Sequence, residues 1–265
     1  ATLRASSGAA SGTRALTVAQ VPSGLTGTLG DAQEGPVGEE LPISLQVKVL
    51  DSGGNPIQGS QVSFSVSKGG GALSTQTATT DAGGLAEADW TLGTVAGEAQ
   101  EAVAALSSLS VTFSATADPG PPASITAVSG SGQTGYAMEA LSNPVAAGVE
   151  DSYGNPVPGT QVTWSVETGG GSVTPNAGAT GSEGEVSAEW VLGTDAGENV
   201  LQASASGLSP ASFSATALSN AIISGTVSVT GGFQVPANTT ARVPPPSSSA
   251  PSRSTPTLSE AQSVP

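Results

Sequence analysis

The sequence predicts an all-β chain of two tandem seven-stranded β-sandwiches flanked by strand-like and low-complexity terminal arms, and three observations predict it. First, GNPIQGSQVSFSVSKGGGAL at 54–73 returns a hundred residues later as GNPVPGTQVTWSVETGGGSV at 154–173. Between 51–117 and 151–217, 29 of 67 positions are identical, so the chain is a tandem duplication. Second, apolar residues alternate over short runs bounded by Gly, Pro, Asn and Asp, at roughly the 8 to 12-residue spacing of a sandwich. Third, 36 Gly, 19 Pro, 3% aromatic and 10% charged residues suit small turn-rich domains with thin aliphatic cores, not a helical or α/β enzyme.

Taken in order, residues 1–14 are small, polar and unpatterned and read as disordered. ALTVAQV, 15–21, alternates as a strand but lies upstream of the repeat, so 1–21 is read as an arm with an orphan strand. The first domain is expected at 22–117 and the second at 122–217, with every matched position 100 apart and no insertion needed. The linker between them, 118–121, belongs to the proline-stiffened run DPGPP, which predicts two domains end to end with limited bending.

Seven strands are read in the second copy: ASITAV from 123, PVAAGVE from 144, TQVTWSV from 160, GSV from 171, EVSAEWVL from 185, NVLQASAS from 199 and ASFSATA from 211. Period-2 alternation puts Val162, Trp164 and Val166 on one face, then Val186, Ala188, Trp190 and Leu192, then Ala211, Phe213 and Ala215. The first copy offers Val62, Phe64 and Val66, then Ala86, Ala88, Trp90 and Leu92, then Val111, Phe113 and Ala115 for the same core. Between the second and third strands, DSGGNP and DSYGNP combine a side-chain acceptor, residues tolerant of positive φ and a proline that fixes φ after the corner. The glycines at 69–71 and 169–171 predict a bend or bulge. The residues after each triplet are strand-like, with neither the helix N-terminus nor the Lys of a phosphate cradle, so nucleotide binding is set aside. After 217 a third copy fails: 218–232 holds a second orphan strand, AIISGTVSV, and 233–265 is a Pro/Ser-rich tail.

The order D-x-x-G-N-P-V-x-G-x-x-V-x-W-x-V, then G-G-G-S-V, W-x-L-G-T-x-A-G-x-N and a closing F-S-A-T-A resembles the bacterial immunoglobulin-like domain of the intimin and invasin type. The resemblance covers both repeats, 22–217. It implies a seven-stranded immunoglobulin-like sandwich, and members that are rigid spacers or adhesive stalks on bacterial surfaces or in secreted proteins. The lectin-like receptor-binding tip and the outer-membrane barrel of such adhesins have no counterpart in these residues.

Composition and charge narrow the function further. A net charge of −15 repels nucleic acid and anionic lipid, so neither is expected as a partner. No apolar run approaches the roughly 20 residues of a membrane span, so no membrane insertion is expected. No basic-then-apolar segment opens the chain, whose first residue is Ala1, and a processed or excised mature chain is expected. Without Cys or His, disulfides, thiolate metal sites and Ser-His or Cys-His triads are ruled out, and no cofactor is expected.

The acidic pairs Glu39 with Glu40, Glu150 with Asp151 and Glu183 with Glu185 raise glycosidase and calcium readings. A glycosidase needs two carboxyls across a cleft, and calcium needs several converging oxygens where neither copy has a D-x-D-x-D-G loop, so a solvated surface is preferred. Asp118, near the joint, is the best-placed single calcium ligand. Trp90, Trp164 and Trp190 fall on inward parity and read as core rather than sugar platforms, leaving Tyr136 and Tyr153, in loops, for exposed contacts. Asn238-Thr239-Thr240 matches a glycosylation acceptor.

One asymmetry points to assembly. Within 22–217 twenty acidic residues face only Lys48 and Lys68, a balance of −18, while all four arginines lie in the end segments, with Glu260 as the only acid there. Tail arginines that merely solubilise are the plain alternative. The sharper expectation is that orphan strands add to a sheet edge of a neighbouring copy, giving a head-to-tail fibre. Its contacts would be Arg4, Arg14, Leu16, Val18, Ile223, Val227, Val229, Arg242 and Arg253. The chain is thus expected to be a non-enzymatic extracellular or cell-surface structural protein whose partners are further copies or other surface proteins. The alternative is a spacer or carbohydrate-contacting module of a larger secreted hydrolase or adhesin.

Overall fold

The alternating runs of both repeats become strands in the computed structural model, which describes residues 2–7, 10–15, 20–220, 228–229 and 233–234. An antiparallel hairpin of β1 (Thr2–Ser7) and β2 (Ala10–Ala15) comes first, with Thr2 opposite Ala15 and Ser7 opposite Ala10. This replaces the disorder expected of 1–14. Of the orphan strand expected at 15–21, Ala15 closes β2 and Gln20 and Val21 are irregular, while residues 16–19, Leu16 and Val18 among them, lie outside the described residues.

The first sandwich runs through β3 (Gly24–Leu29), β4 (Gln33–Pro36), β5 (Leu45–Leu50), β6 (Gln61–Lys68), β7 (Ala72–Leu73), β8 (Thr77–Thr79), β9 (Leu85–Ala88), β10 (Trp90–Thr91), β11 (Ala99–Leu106) and β12 (Leu109–Asp118). Its larger sheet has the order β4-β12-β11-β6-β8, parallel only at β4–β12, and the other side is β3-β5-β9 with the short pair β10–β7. The second sandwich comprises β13 (Ser124–Ser129), β14 (Gln133–Tyr136), β15 (Val145–Glu150), β16 (Gln161–Thr168), β17 (Gly171–Thr174), β18 (Ala177–Ala179), β19 (Glu185–Leu192), β20 (Gly197–Ala205) and β21 (Ala211–Leu218). Its sheets have the orders β14-β21-β20-β16-β18 and β13-β15-β19-β17. A last short pair joins β22 (Ser228–Val229) to β23 (Phe233–Gln234).

Each sandwich has its own core. Leu45, Val47, Val49 and Trp90 pack with Val62, Phe64, Ala102, Ala104 and Phe113 in the first; Val145, Ala147, Val149 and Trp190 pack with Val162, Trp164, Leu201 and Phe213 in the second. The three tryptophans are buried as their parity predicts, and Trp164 meets Phe213 at 5.4 Å between ring centroids in a tilted arrangement of 54°. Their indole N–H groups have no hydrogen-bond partner among the described residues, so ring burial outweighs three unmet donors.

Two features depart from the expected seven strands at constant offset. QTGY (β14) and AGA (β18) are additional short edge strands, with counterparts β4 and β8 in the first copy. The offset also slips at the sixth expected strand. Ala104 pairs with Val111 and Ala203 with Ala211, so β11 and β20 match 99 apart although β12 and β21 match 100 apart. The slip follows a buried latch. Gly93 N–H donates to Gln100 Oε1 at 3.1 Å, whereas Gly193 N–H donates to Asn199 Oδ1 at 3.3 Å, one residue nearer in sequence and one methylene shorter. The triple glycines serve this region. Gly69–Gly71 and Gly169–Gly171 all have positive φ, and the first of each crosses the backbone of Gly93 or Gly193 so closely that no Cβ fits there.

Candidate functional site at the joint of the two sandwiches

The two copies of the corner hexapeptide fold alike and end up in different surroundings. In the first, Asp51 Oδ1 accepts from the backbone N–H groups of Gly53 at 2.9 Å and Asn55 at 2.8 Å. In the second, Asp151 Oδ1 accepts from Tyr153 at 2.8 Å and Asn155 at 2.9 Å. These side-chain turns explain the Asp at the first position.

They diverge at the outer atoms. Asp151 Oδ2 accepts from Gly120 N–H of the linker at 2.9 Å and from Asn155 Nδ2 at 2.8 Å. Asn155 then reaches into the first sandwich: its Nδ2 donates to Thr94 O at 2.9 Å and its Oδ1 accepts from Ala96 N–H at 3.0 Å. One amide thereby satisfies a carbonyl and an N–H of the loop between β10 and β11. Asp151 and Asn155 are 4% and 7% exposed, while Asp51 is half-buried and Asn55 exposed. Asp51 Oδ2 instead receives Gln20 Nε2 at 3.3 Å. Tyr153, also at the joint, stands over Gly38, where an added Cβ would come within 2.8 Å of its Cζ and closer still to its hydroxyl.

Burial pushes the Asp151 carboxyl up, but the hydrogen bonds from the Asn155 side chain and from the N–H groups of Asn155, Gly120 and Tyr153 outweigh it and hold it below its ordinary value. Asp51 is lowered by Asn55 N–H first, then by the Asn55 amide. Asp31 is lowered by Ser114 N–H first, against a smaller opposing effect of burial. A folded pKa below the unfolded one gives stability that is present above the unfolded value of 3.8 and is lost as pH falls through the folded value. The melting temperature is therefore expected to fall as pH drops below about 4, and less steeply in Asp151→Asn, as scanning calorimetry across pH 2 to 7 checks.

Elsewhere the acidic candidates do not converge. Glu39, Glu40, Glu150, Glu183, Glu185 and Asp118 are exposed, and the Glu150 with Asp151 pair is split by the burial of Asp151 in the joint. No group of three potential metal ligands occurs among the described residues. The hollow lined by Gly27, Thr28, Leu29, Asp31, Val111 and Phe113 holds one carboxylate, Asp31, which is engaged by Ser114 and Ala32. Tyr136 lies in β14 and not in a loop; Tyr153 is in a loop and half-exposed at the joint.

Of the expected assembly contacts, Arg4 sits opposite Thr13 and Arg14 opposite Leu3 in the first hairpin, and Val229 opposite Phe233 in the last. Leu16, Val18, Ile223, Val227, Arg242 and Arg253, with the acceptor at Asn238, lie outside the described residues. The sequence points to the joint through the linker 118–121 and Asp118, and does not single out Asn155, which makes the bridge. The bridge's one signal was an Asn at the fifth corner position with more hydrogen-bonding capacity than a turn consumes.

The sequence model of the family described as bacterial Ig-like domain (group 1) matches residues 40–116 and 128–219, more than half of the chain. No curated protein sequence matches. Among solved structures, the chain is similar to FdeC, an Escherichia coli adhesin, at 18% identity and a TM-score of 0.49, covering 78% of this chain and 68% of that one. It is also similar to the Yersinia pseudotuberculosis adhesin InvE at 18% identity and a TM-score of 0.34, covering 78% of this chain and 65% of that one. For the D0–D1 domain of intimin the identity is 18%, the TM-score 0.29 and the coverage 73% and 95%.

Proposed function

The chain belongs to the family of bacterial Ig-like domains of group 1, and from that premise we propose that it is a non-enzymatic stalk of an extracellular or cell-surface protein. The observation that carries this reading is the bridge made by Asn155, which spends a buried side-chain amide on joining two domains rather than on lining a cavity. A linker tied by Gly120 N–H to Asp151 supports the same role, because it anchors the run between the domains as well as the domains themselves. The core placement of all three tryptophans speaks against a sugar-stacking module.

Fibre formation by strand addition is the finer part of the proposal. The arms hold the chain's four arginines and residues 22–217 carry a balance of −18, so an arm meeting a neighbour's sandwich brings opposite charges together. The contacts are Arg4, Arg14, Leu16, Val18, Ile223, Val227, Val229, Arg242 and Arg253, and the domains run over 22–117 and 122–217. Removing residues 1–19 and 221–265 is expected to abolish assemblies that the full chain forms at about micromolar concentration, as seen by size exclusion and negative-stain imaging. Assembly unchanged by trimming contradicts strand addition.

A further inference from the structure

We propose that a second copy of the chain docks head to tail, its first corner (51–55) seating on the far end of the second sandwich at Met138 and Thr194 to Ala196. The contact goes beyond the stalk reading and uses neither arm.

The joint inside the chain shows both surfaces already engaged. A corner, Asp151 to Asn155, sits on Gly38 and the loop holding Thr94 and Ala96. Among the described residues each surface has a twin that meets no other sandwich: Gln20 Nε2 donates to Asp51 Oδ2 at the corner and Asn220 Nδ2 to Ala137 O beside Met138, and the groups that form the joint's bridge are left open in both. The loop twin is Thr194 to Ala196, exposed, and among the described residues neither Thr194 C=O nor Ala196 N–H makes a hydrogen bond. The corner twin is exposed at Asn55, whose Nδ2 bonds only Asp51 and whose Oδ1 accepts nothing among the described residues. These are the same donor and acceptor types that Asn155, Thr94 and Ala96 exchange in the joint.

The sizes are also matched, in exchanged order. Within the chain a large corner residue, Tyr153, stands over a glycine, Gly38, with no room for a Cβ. At the free ends the corner carries Gly53, and the position equivalent to Gly38 is Met138. A small corner thus faces a large receiver. Tyr153-type corners are excluded from Met138, and the Gly53 corner leaves the space Met138 needs. Met138 holds φ 65°, a left-handed conformation costly for a residue with a Cβ, and points away from any core at 69% exposure. Gly38 adopts the equivalent backbone at φ 71° without that cost. Packing by a neighbouring copy gives this strained, exposed methionine a partner.

The contact is untethered and the chain carries −15, so the association is weak and strengthens with salt. The test is an amide NMR titration of the full chain up to about 1 mM in screening salt, following the Asn55 side-chain amide and the Ala196 N–H. Both are expected to shift together with concentration. Gly53→Tyr should weaken the fitted association about tenfold, and Gly53→Tyr with Met138→Gly should restore it. Both substitutions copy the residue the other repeat holds at that position, so folding is retained. Shifts absent up to that concentration, a Gly53→Tyr chain that associates like the parent, or a double variant that does not recover would each overturn the proposal. Because the arms stay intact in every variant, loss of strand addition leaves this outcome unchanged, and independence of the two domains is read separately by their relaxation rates.

Discussion

Trp190→Ala is expected to lower the stability of the second sandwich by about 3–5 kcal/mol, the range of a fully buried aromatic cut back to a methyl. Trp190 is 1% exposed and lies on β19 in the core shared with Val145, Val149, Leu192, Leu201 and Phe213. Its removal leaves a ring-sized void between two sheets whose other core residues include many alanines, and such a thin core has few large neighbours able to collapse into the space. Trp190→Phe should cost much less, because it keeps most of the packing and deletes the indole N–H that has no partner among the described residues. Urea unfolding of a two-domain chain gives two transitions, and the loss should appear in only one of them. A shift below about 1 kcal/mol would show that Trp190 is not the plug of this core.

The second large effect is at the joint. Asn155→Ala removes the amide that satisfies Thr94 C=O and Ala96 N–H, strips one donor from the buried Asp151 carboxylate, and leaves the corner turn itself in place through Asp151 Oδ1. The bonds lost are part-buried, with Thr94 exposed and Ala96 half-buried, so each costs about 1 kcal/mol, which is comparable with what a small contact between tethered domains supplies. Both sandwiches should stay folded while their coupling is lost.

Much of this fold was legible in the sequence and much of the joint was not, for reasons that differ. The inward faces of β16, β19 and β21 read directly because burial imposes a period of two on apolar residues, as at Val162, Trp164 and Val166 of β16. β14 and β18 escaped because edge strands of three or four residues with a central glycine carry no such period; β14 owes its existence to parallel pairing with β21, a contact far away in sequence. The 99-residue offset of β20 escaped because alanines are common on both copies of that strand, and the deciding latch pairs Gln100 with Asn199, two different letters. The hairpin at 2–15 lacks alternation altogether, so its pairing lies in the backbone. At the joint the obstacle is redundancy. Asp, Gly, Asn and Pro each have a turn-making reason, so the second task of Asn155 hides behind the first, and Asn55 shows the same letters without the task. The informative letters are those that change between repeats, Gly38 to Met138 and Gly53 to Tyr153.

The second copy of the corner is therefore both a turn and a coupling device, and a stalk needs the second property. Nitrogen-15 relaxation of the labelled chain tests it most directly. The two sandwiches of the parent chain are expected to tumble with one shared correlation time, and those of Asn155→Ala with two shorter ones at unchanged amide dispersion. Independent tumbling of the two domains in the parent chain would contradict a joint held by Asn155.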